Sequence, residues 1–474
     1  MADDTTRLGP EEVVERRTTR RQLIRKGAAG ALVVAYGGAV TKSAAYGAPR
    51  YAGKQLAGTL RIMQWSHFVP AYDKWFDGTY VKQWGQRNDT EVIVDHVNLA
   101  ELPARAAAEV SAQSGHDLFQ VLSPPAAFED QVISHNEIVQ EISRKVGKMG
   151  RVGYKSTYNP KTKKYFGVPD NYVPDPVHYR RDLWRNVGRA PNSWDDIRRS
   201  AEALKNDGHP VGIGMSQELD SNMANMALMM CYGGFLQNQG SRVTLRSGGT
   251  VNALRAMRDI YRNGMTQEVF GWTAASNNQA YIAGRLSLAL NAVSIARTLE
   301  GPPWVTTPAR DDLNASTWIA PIPRGPSQRM GLEHVMGIYV IWKFARNKAM
   351  ARKFLVDMQT NYRPHFTNSG FYNFPAWDNG VRGGFRAMRR ATAADRARPR
   401  GKYTILTTIA QRYTTNVGHP GFANAAVDEV FNKFLVPQMF AAVAQDKMSA
   451  ADAARTFDGQ VRSIYQKWRS LGKI

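Results

Sequence analysis

The sequence predicts an α/β protein. Short strand-like runs alternate with amphipathic helical stretches, and several of those stretches carry helix-start signals. From Thr404 onward helical patterns dominate, as in a helical tail packed back on earlier α/β lobes.

The elements follow in order. Leu60–Gln64, Glu91–Val97 and Asp117–Leu122 read as the first strands. Ser193-Trp194-Asp195-Asp196 is a capping box, in which the serine accepts from the third amide while Asp196 reaches back. Ile197, Ala201 and Leu204 continue one apolar face behind it. Val211–Met215, Leu286–Leu290, Thr317–Ile322 and Ile338–Trp342 are further strands. Ala351, Phe354, Leu355 and Met358 repeat at helical spacing, as do Val427, Val430, Phe431, Phe434 and Leu435 before Pro437. Strands alternating with helices predict lobes built on largely parallel sheets.

Composition narrows the function. The chain has 474 residues, 43% of them hydrophobic and 10% aromatic, which supports a sizeable core and argues against disorder. Cys231 is the only cysteine, so an intramolecular disulfide, a cysteine-based zinc site and an iron–sulfur cluster are excluded. Its setting, Met229-Met230-Cys231-Tyr232, reads as core. There is no His-Glu-x-x-His, no Gly-x-Ser-x-Gly, no phosphate-binding Walker loop and no Gly-x-Gly-x-x-Gly after a strand. The acidic pairs Asp195-Asp196 and Asp428-Glu429 read as a helix start and a helix surface rather than as facing glycosidase carboxylates; Asp311-Asp312 is a third such pair. His67 and His334 each lack a second histidine at ligand spacing, so no metal site is expected. The expectation is a non-enzymatic protein without a cofactor; a glycan-active enzyme of the envelope is the competing class.

Residues 1–48 read as an export signal. Arg16, Arg17, Arg20, Arg21, Arg25 and Lys26 precede an apolar Gly27–Val40 run and then small residues. The apolar run is too short to span a bilayer, for which about 20 helical residues are needed. Thr19–Lys26 is similar to a twin-arginine signal, and no cysteine nearby could form a lipobox. A periplasmic or envelope location without a lipid anchor follows as an expectation.

The formal net charge is +22, which keeps anionic partners open. The charge is spread rather than striped, and the chain carries an export signal, so nucleic acid is not expected. The exception is 378–402, with Arg382, Arg386, Arg389, Arg390, Arg396, Arg398 and Arg400 against Asp378 and Asp395. A solvated insertion and contact with an anionic envelope surface are both open for it.

Aromatic residues on loops point to a binding site. Trp65, His67, Phe68 and Tyr72 follow the first strand; Trp272 precedes a helix; Phe371, Tyr372, Phe374 and Trp377 crowd a loop. Sugar rings present apolar C–H faces that such platforms suit. Core packing is the competing reading for each.

Several stretches together resemble the extracellular solute-binding proteins of ABC importers, family 1, the carbohydrate-type group. Gly58–Trp65 resembles the opening strand, and Gly167-Val168-Pro169 with Val177–Trp184 resembles the first crossing segment. Ala190–Ile197, Gln279–Leu288, Ile338–Met358 and Met448–Ala454 follow in family order. Arg180-Arg181 stands where Asn-Lys is usual, and Glu333-His334 where a glycine pair is usual. The resemblance implies a two-lobed periplasmic binding protein-like fold (type II) with the ligand cleft between lobes. It places 55–173 with 320–365 in lobe 1, and 174–319 with 366–474 in lobe 2. Crossings are expected near Val173–Asp175, Ala320–Pro323 and Asn361–Asn368. Carried over by position, the ligand contacts are Trp65, Ser66, His67, Asn171, Tyr172, Trp272, Asn291, Ser294, Glu333, His334 and Tyr372. The partners implied are a small-molecule ligand, best matched by a carbohydrate, and a membrane permease; a monomer is expected. A polyamine or an organic anion on the same fold is the alternative ligand.

Overall fold

The computed structural model describes residues 58–304 and 310–474. The expected export signal at 1–48 lies outside the described residues.

Two sheets organise the chain. The strands are β1 (Gly58–Trp65), β2 (Thr90–Val97), β3 (Leu118–Val121), β4 (Tyr158–Asn159), β5 (Lys164–Tyr165), β6 (Val168–Pro174), β7 (Val177–Arg180), β8 (Val211–Gly212), β9 (Leu288–Leu290), β10 (Thr317–Ala320), β11 (Gly331–Val340), β12 (Phe374–Pro375) and β13 (Thr414–Thr415). The first sheet runs β12-β6-β11-β3-β1-β2, with β13 also pairing β11; the second runs β10-β7-β9-β8. β4 and β5 form a separate hairpin. All ten residues of β11 are buried, as expected of a central strand covered on both faces.

The sheets are mixed rather than largely parallel. β1 lies parallel to β2 and β3, but β11 is antiparallel to both β3 and β6. In the second sheet β7 is antiparallel to β9 and β10, and only β8–β9 is parallel. The reason is topological. The chain leaves the first sheet through β6 and re-enters it through β11 from the second sheet, so the returning strand runs opposite to those reached by helical crossovers.

Local signals act as expected at several points. Ser193 and Asp196 form the reciprocal capping box of the helix Trp194–Asn206. The Ala351 pattern lies within the helix Lys348–Thr360. The Val427 pattern is split instead. The helix Ala425–Asn432 ends, Phe434 takes a left-handed φ of 53°, and a second helix, Leu435–Ala444, carries Pro437 in its first turn. Proline is tolerated there because the first amides of a helix have no intrahelical acceptor.

The Ile338–Trp342 run proves to be the end of a strand that begins at Gly331, and Val211–Met215 contributes only Val211–Gly212. Within 366–474, β12 and β13 join the first sheet, pairing β6 and β11, while the helix Gly248–Gly264 packs against Leu435–Ala444 and against Ala450–Ser470. That part of the chain therefore serves both sheets. Cys231 is fully buried, with its thiol directed at the carbonyls of Met330 and Pro323.

A buried guanidinium ties the second sheet to the turn Ser369–Asn373. Arg297, on the helix Ser294–Glu300, has a side chain that is 0% exposed. It lies 2.7 Å from Glu300 and 3.1 Å from Asp395, and its Nε donates to the Gly370 carbonyl at 2.9 Å. The rings of Tyr403, Trp304 and Phe371 lie 3.9, 4.3 and 5.0 Å from the guanidinium carbon, measured to their centroids. Lys402, also buried, reaches Glu300 at 3.0 Å and Asn314 at 2.6 Å. Gly370 has φ of +64°, and a Cβ there would come within 2.8 Å of Arg297 Nε, so the close approach requires glycine.

Removing one partner of a buried ion pair leaves the other charge desolvated. Arg297→Ala is therefore expected to lower unfolding stability by about 3–5 kcal/mol, read from urea denaturation; a loss within the range of an exposed salt bridge would show that the network contributes little.

Candidate functional site

Polar and aromatic side chains converge where the chain passes between the two sheets. β6 leads directly into β7 through Asp175-Pro176, and β10 leads into β11 through residues 321–330. Asp175 sits in the first of these passages and His334 near the start of β11.

The aromatic side of the site is built by two loops. After β1, His67 is held by its own backbone: its amide donates to Asp73 at 2.8 Å, and its Nδ1 accepts the Val69 amide at 2.9 Å. The other ring nitrogen, Nε2, meets the Asn373 carbonyl oxygen at 3.2 Å. That pattern requires a neutral imidazole with the proton on Nε2. Burial agrees, pulling the His67 pKa down to about 4.

The second loop is the turn after the helix Arg363–Asn368. Gly370 and Phe371 both take left-handed φ values, 64° and 67°. Such a conformation costs a non-glycine residue about 1–2 kcal/mol. The Phe371 ring, wedged against Phe366 at 5.0 Å and Arg297, offsets that cost. The turn carries Tyr372 to His67, with ring centroids 4.7 Å apart, and to Trp65 at 6.1 Å. Trp65 and His67 are themselves 4.9 Å apart.

The polar side comes from the second sheet. Glu218 caps the helix Leu219–Cys231 and fixes Asp220 in its first turn. Asn277 donates to Asp220 at 2.6 Å, Asn291 donates to Asn277 at 2.9 Å and also reaches Asn278, and Asn278 donates to Ser294 at 3.0 Å. His334 lies between two carboxylates, 3.3 Å from Asp175 and 3.0 Å from Asp220. Burial alone would depress this imidazole; the two flanking carboxylates outweigh it and lift its pKa to about 10. Burial likewise raises the Asp175 carboxyl, even with His334 beside it.

Two of these groups, the Tyr372 hydroxyl and Asn291 Oδ1, are buried without a hydrogen-bond partner among the described residues, while Asp175 Oδ1 and Asp220 Oδ1 have only the His334 nitrogens facing them. The His334 contacts are ionic rather than aligned hydrogen bonds. Burial first, then the charges of Asp220 and Asp175, raise the Tyr372 hydroxyl, which keeps it a donor. Unpartnered buried polar atoms cost free energy. Their concentration at one junction marks a place equipped to bind hydroxyls or other polar groups beside the Trp65–His67–Tyr372 rings.

Of the residues expected from sequence, the structure thus brings Trp65, His67, Tyr372, Asn291, Ser294 and His334 to this junction. The others lie elsewhere. Ser66 is exposed, its amide donating to Val97. Asn171 is buried on β6, donating to Asp170 at 2.8 Å, and Tyr172 packs against Phe374. Trp272 is half-buried over Gly212 and the small core around Tyr281 and Leu286. Glu333, adjacent to His334 on a strand, faces away from it, accepting from the Val417 amide and the Ser156 hydroxyl. Sequence reasoning missed Asp175, Asp220, Asn277, Asn278 and Asn373. Asp175 falls in the expected first crossing, and Asp220-Ser221-Asn222 opens a helix that is otherwise methionine-rich and buried throughout, which is a readable signal.

A family model described as bacterial extracellular solute-binding protein matches residues 79–361. No curated protein matches the chain by sequence. Solved structures share the fold. Maltose-bound MalE3 of Thermotoga maritima is 15% identical with a TM-score of 0.69, covering 86% of this chain and 100% of its own. A sugar transporter protein of Arthrobacter chlorophenolicus with bound laminaribiose is 14% identical with a TM-score of 0.68, covering 86% and 99%. The substrate-binding protein Lmo0181 of Listeria monocytogenes, in complex with cycloalternan, is 14% identical with a TM-score of 0.66, covering 88% and 100%. At these identities the likeness establishes the two-lobed fold.

The Glu333 carboxyl gives a pH prediction. Burial raises its pKa from 4.5 to about 8. The folded value exceeds the unfolded one, so this group's stabilising contribution is complete below about pH 4.5 and is lost as pH rises through about 8. Glu333→Gln removes the dependence. The variant should gain on the native chain by up to about 1.4 kcal/mol per pH unit across that window, measured by urea denaturation; parallel pH profiles would refute the assignment.

Proposed function

Because the chain belongs to the bacterial extracellular solute-binding protein family, we propose that it is the substrate-binding component of an ABC importer that captures a sugar or oligosaccharide outside the cytoplasmic membrane. The observation that carries this reading is the junction where the Trp65–His67–Tyr372 rings stand beside the unpartnered Tyr372 hydroxyl and Asn291 Oδ1 and the buried carboxylates of Asp175 and Asp220. Aromatic faces suit the C–H faces of a pyranose, and carboxylates and amides suit its hydroxyls. The sugars bound by the structural neighbours support the same class.

The lobes we assign are 55–173 with 320–365 and 174–319 with 366–474, with β12 and β13 reaching back to the first sheet. Ligand held by groups from both sides favours the closed arrangement through its differential affinity, and hinge closure then presents the loaded protein to a permease. Trp65, His67 and Tyr372 would stack on the sugar, while Asn291, Ser294 and His334 would orient the polar rim. In this reading the protein acts as an exported monomer and releases its ligand chemically unchanged. A second reading, a polyamine in the same site, draws on the two buried carboxylates Asp175 and Asp220.

A thermal-shift screen with mono- and oligosaccharides decides between them, since a ligand binding only the native state raises its stability. A rise with a saccharide is expected; a rise with spermidine alone would transfer the site to the second reading, and no rise with either would end both. Tyr372→Phe deletes the unpartnered hydroxyl. It should weaken sugar binding about tenfold, equivalent to ~1.4 kcal/mol, with the fold retained, as read by calorimetric titration.

A further inference from the structure

We propose that the face formed by residues 382–400 is an electrostatic docking surface for an anionic phospholipid bilayer. The segment sorts its charges by direction. All seven of its arginines, Arg382, Arg386, Arg389, Arg390, Arg396, Arg398 and Arg400, are exposed. The charges of opposite sign are turned inward. Asp395 is taken by Arg297 at 3.1 Å, and Asp378 is half-buried, with burial raising its pKa to about 6. Lys402, the lysine of this stretch, is buried on Glu300. Among the described residues, none of the seven arginines has a carboxylate within 4.0 Å.

Two different backbone patterns produce this outcome. In the helix Gly384–Ala393, Arg386, Arg389 and Arg390 fall at i, i+3 and i+4 on one face, while Met388 and Thr392 are buried on the other. In the following irregular stretch, exposed Arg396, Arg398 and Arg400 alternate with buried Ala397 and half-buried Pro399. Like charges within a Debye length of about 10 Å repel one another, and these seven have no carboxylate paired with them among the described residues. Guanidinium groups pair bidentately with phosphate. A broad field of them, rather than a pocket, fits a plane of many phosphates. The whole chain is basic at +22, and no described helix is long and apolar enough to cross a membrane, so attraction to such a surface would be peripheral.

The test is co-sedimentation of the full chain with phosphatidylglycerol–phosphatidylcholine vesicles and with phosphatidylcholine vesicles at low and high salt. Binding to the anionic vesicles, reversed by salt, is expected. Each basic residue near an anionic surface contributes about a fivefold gain in affinity, so the triple variant Arg386→Gln, Arg389→Gln, Arg390→Gln should bind about a hundredfold more weakly. A triple variant with the same charge change elsewhere, Arg105→Gln, Arg185→Gln, Arg255→Gln, should bind as the native chain does. The N-terminal basic segment is common to all, so the comparison isolates the face; unchanged circular dichroism confirms that the variants fold. Equal losses in the two triple variants, no loss in the first, equal binding to the neutral and anionic vesicles, or competition by millimolar inorganic phosphate at constant ionic strength would overturn the proposal.

Discussion

Arg297 is the contact on which the arrangement of the site depends. One guanidinium, out of water, is held by two carboxylates, a backbone carbonyl and three aromatic rings. The partners come from three parts of the chain. Glu300 shares its helix, Gly370 belongs to the turn that presents Tyr372 and Asn373, and Asp395 and Tyr403 belong to the basic segment and its exit. A buried charge must be fully paired or it destabilises the fold. That requirement locks three sequence-distant segments into one geometry, and the site inherits its precision from it.

The site's electrostatics follow from the same economy of desolvation. His67 is neutral because it is buried and its Nδ1 must accept from an amide, whereas His334 is charged because two carboxylates flank it. Two histidines in one site thus hold opposite protonation states through their neighbours alone. On the rim the logic reverses. The arginines of 382–400 stay in water, where a charge costs little, and Asp395 turns inward to neutralise the buried Arg297.

Much of the fold was legible in local pattern. Apolar spacing located the helices Trp194–Asn206 and Lys348–Thr360 and the strands β1, β2, β3, β9 and β10, because burial on one face or both leaves a period in the residues. Strand direction was not legible, since pairing partners lie hundreds of residues apart and direction depends on where the chain re-enters a sheet. The break at Phe434 was hidden for a related reason: its left-handed backbone is set by packing rather than by a glycine that would announce it.

For the site, sequence alone determined the residue types and their neighbourhoods: aromatic loops after β1 and before β12, an amide and a hydroxyl after β9, a polar pair near the start of β11, and an arginine-dense segment with two acids. Which of these meet was a tertiary decision. Glu333 and His334 are adjacent in sequence, yet a strand sends neighbours to opposite faces, so only His334 reaches the junction. Asp220 and Asp175 joined it because a helix start and an intersheet passage happen to be brought together by chain topology. Local physics fixes what a residue can do, but only the long-range path of the backbone selects its company.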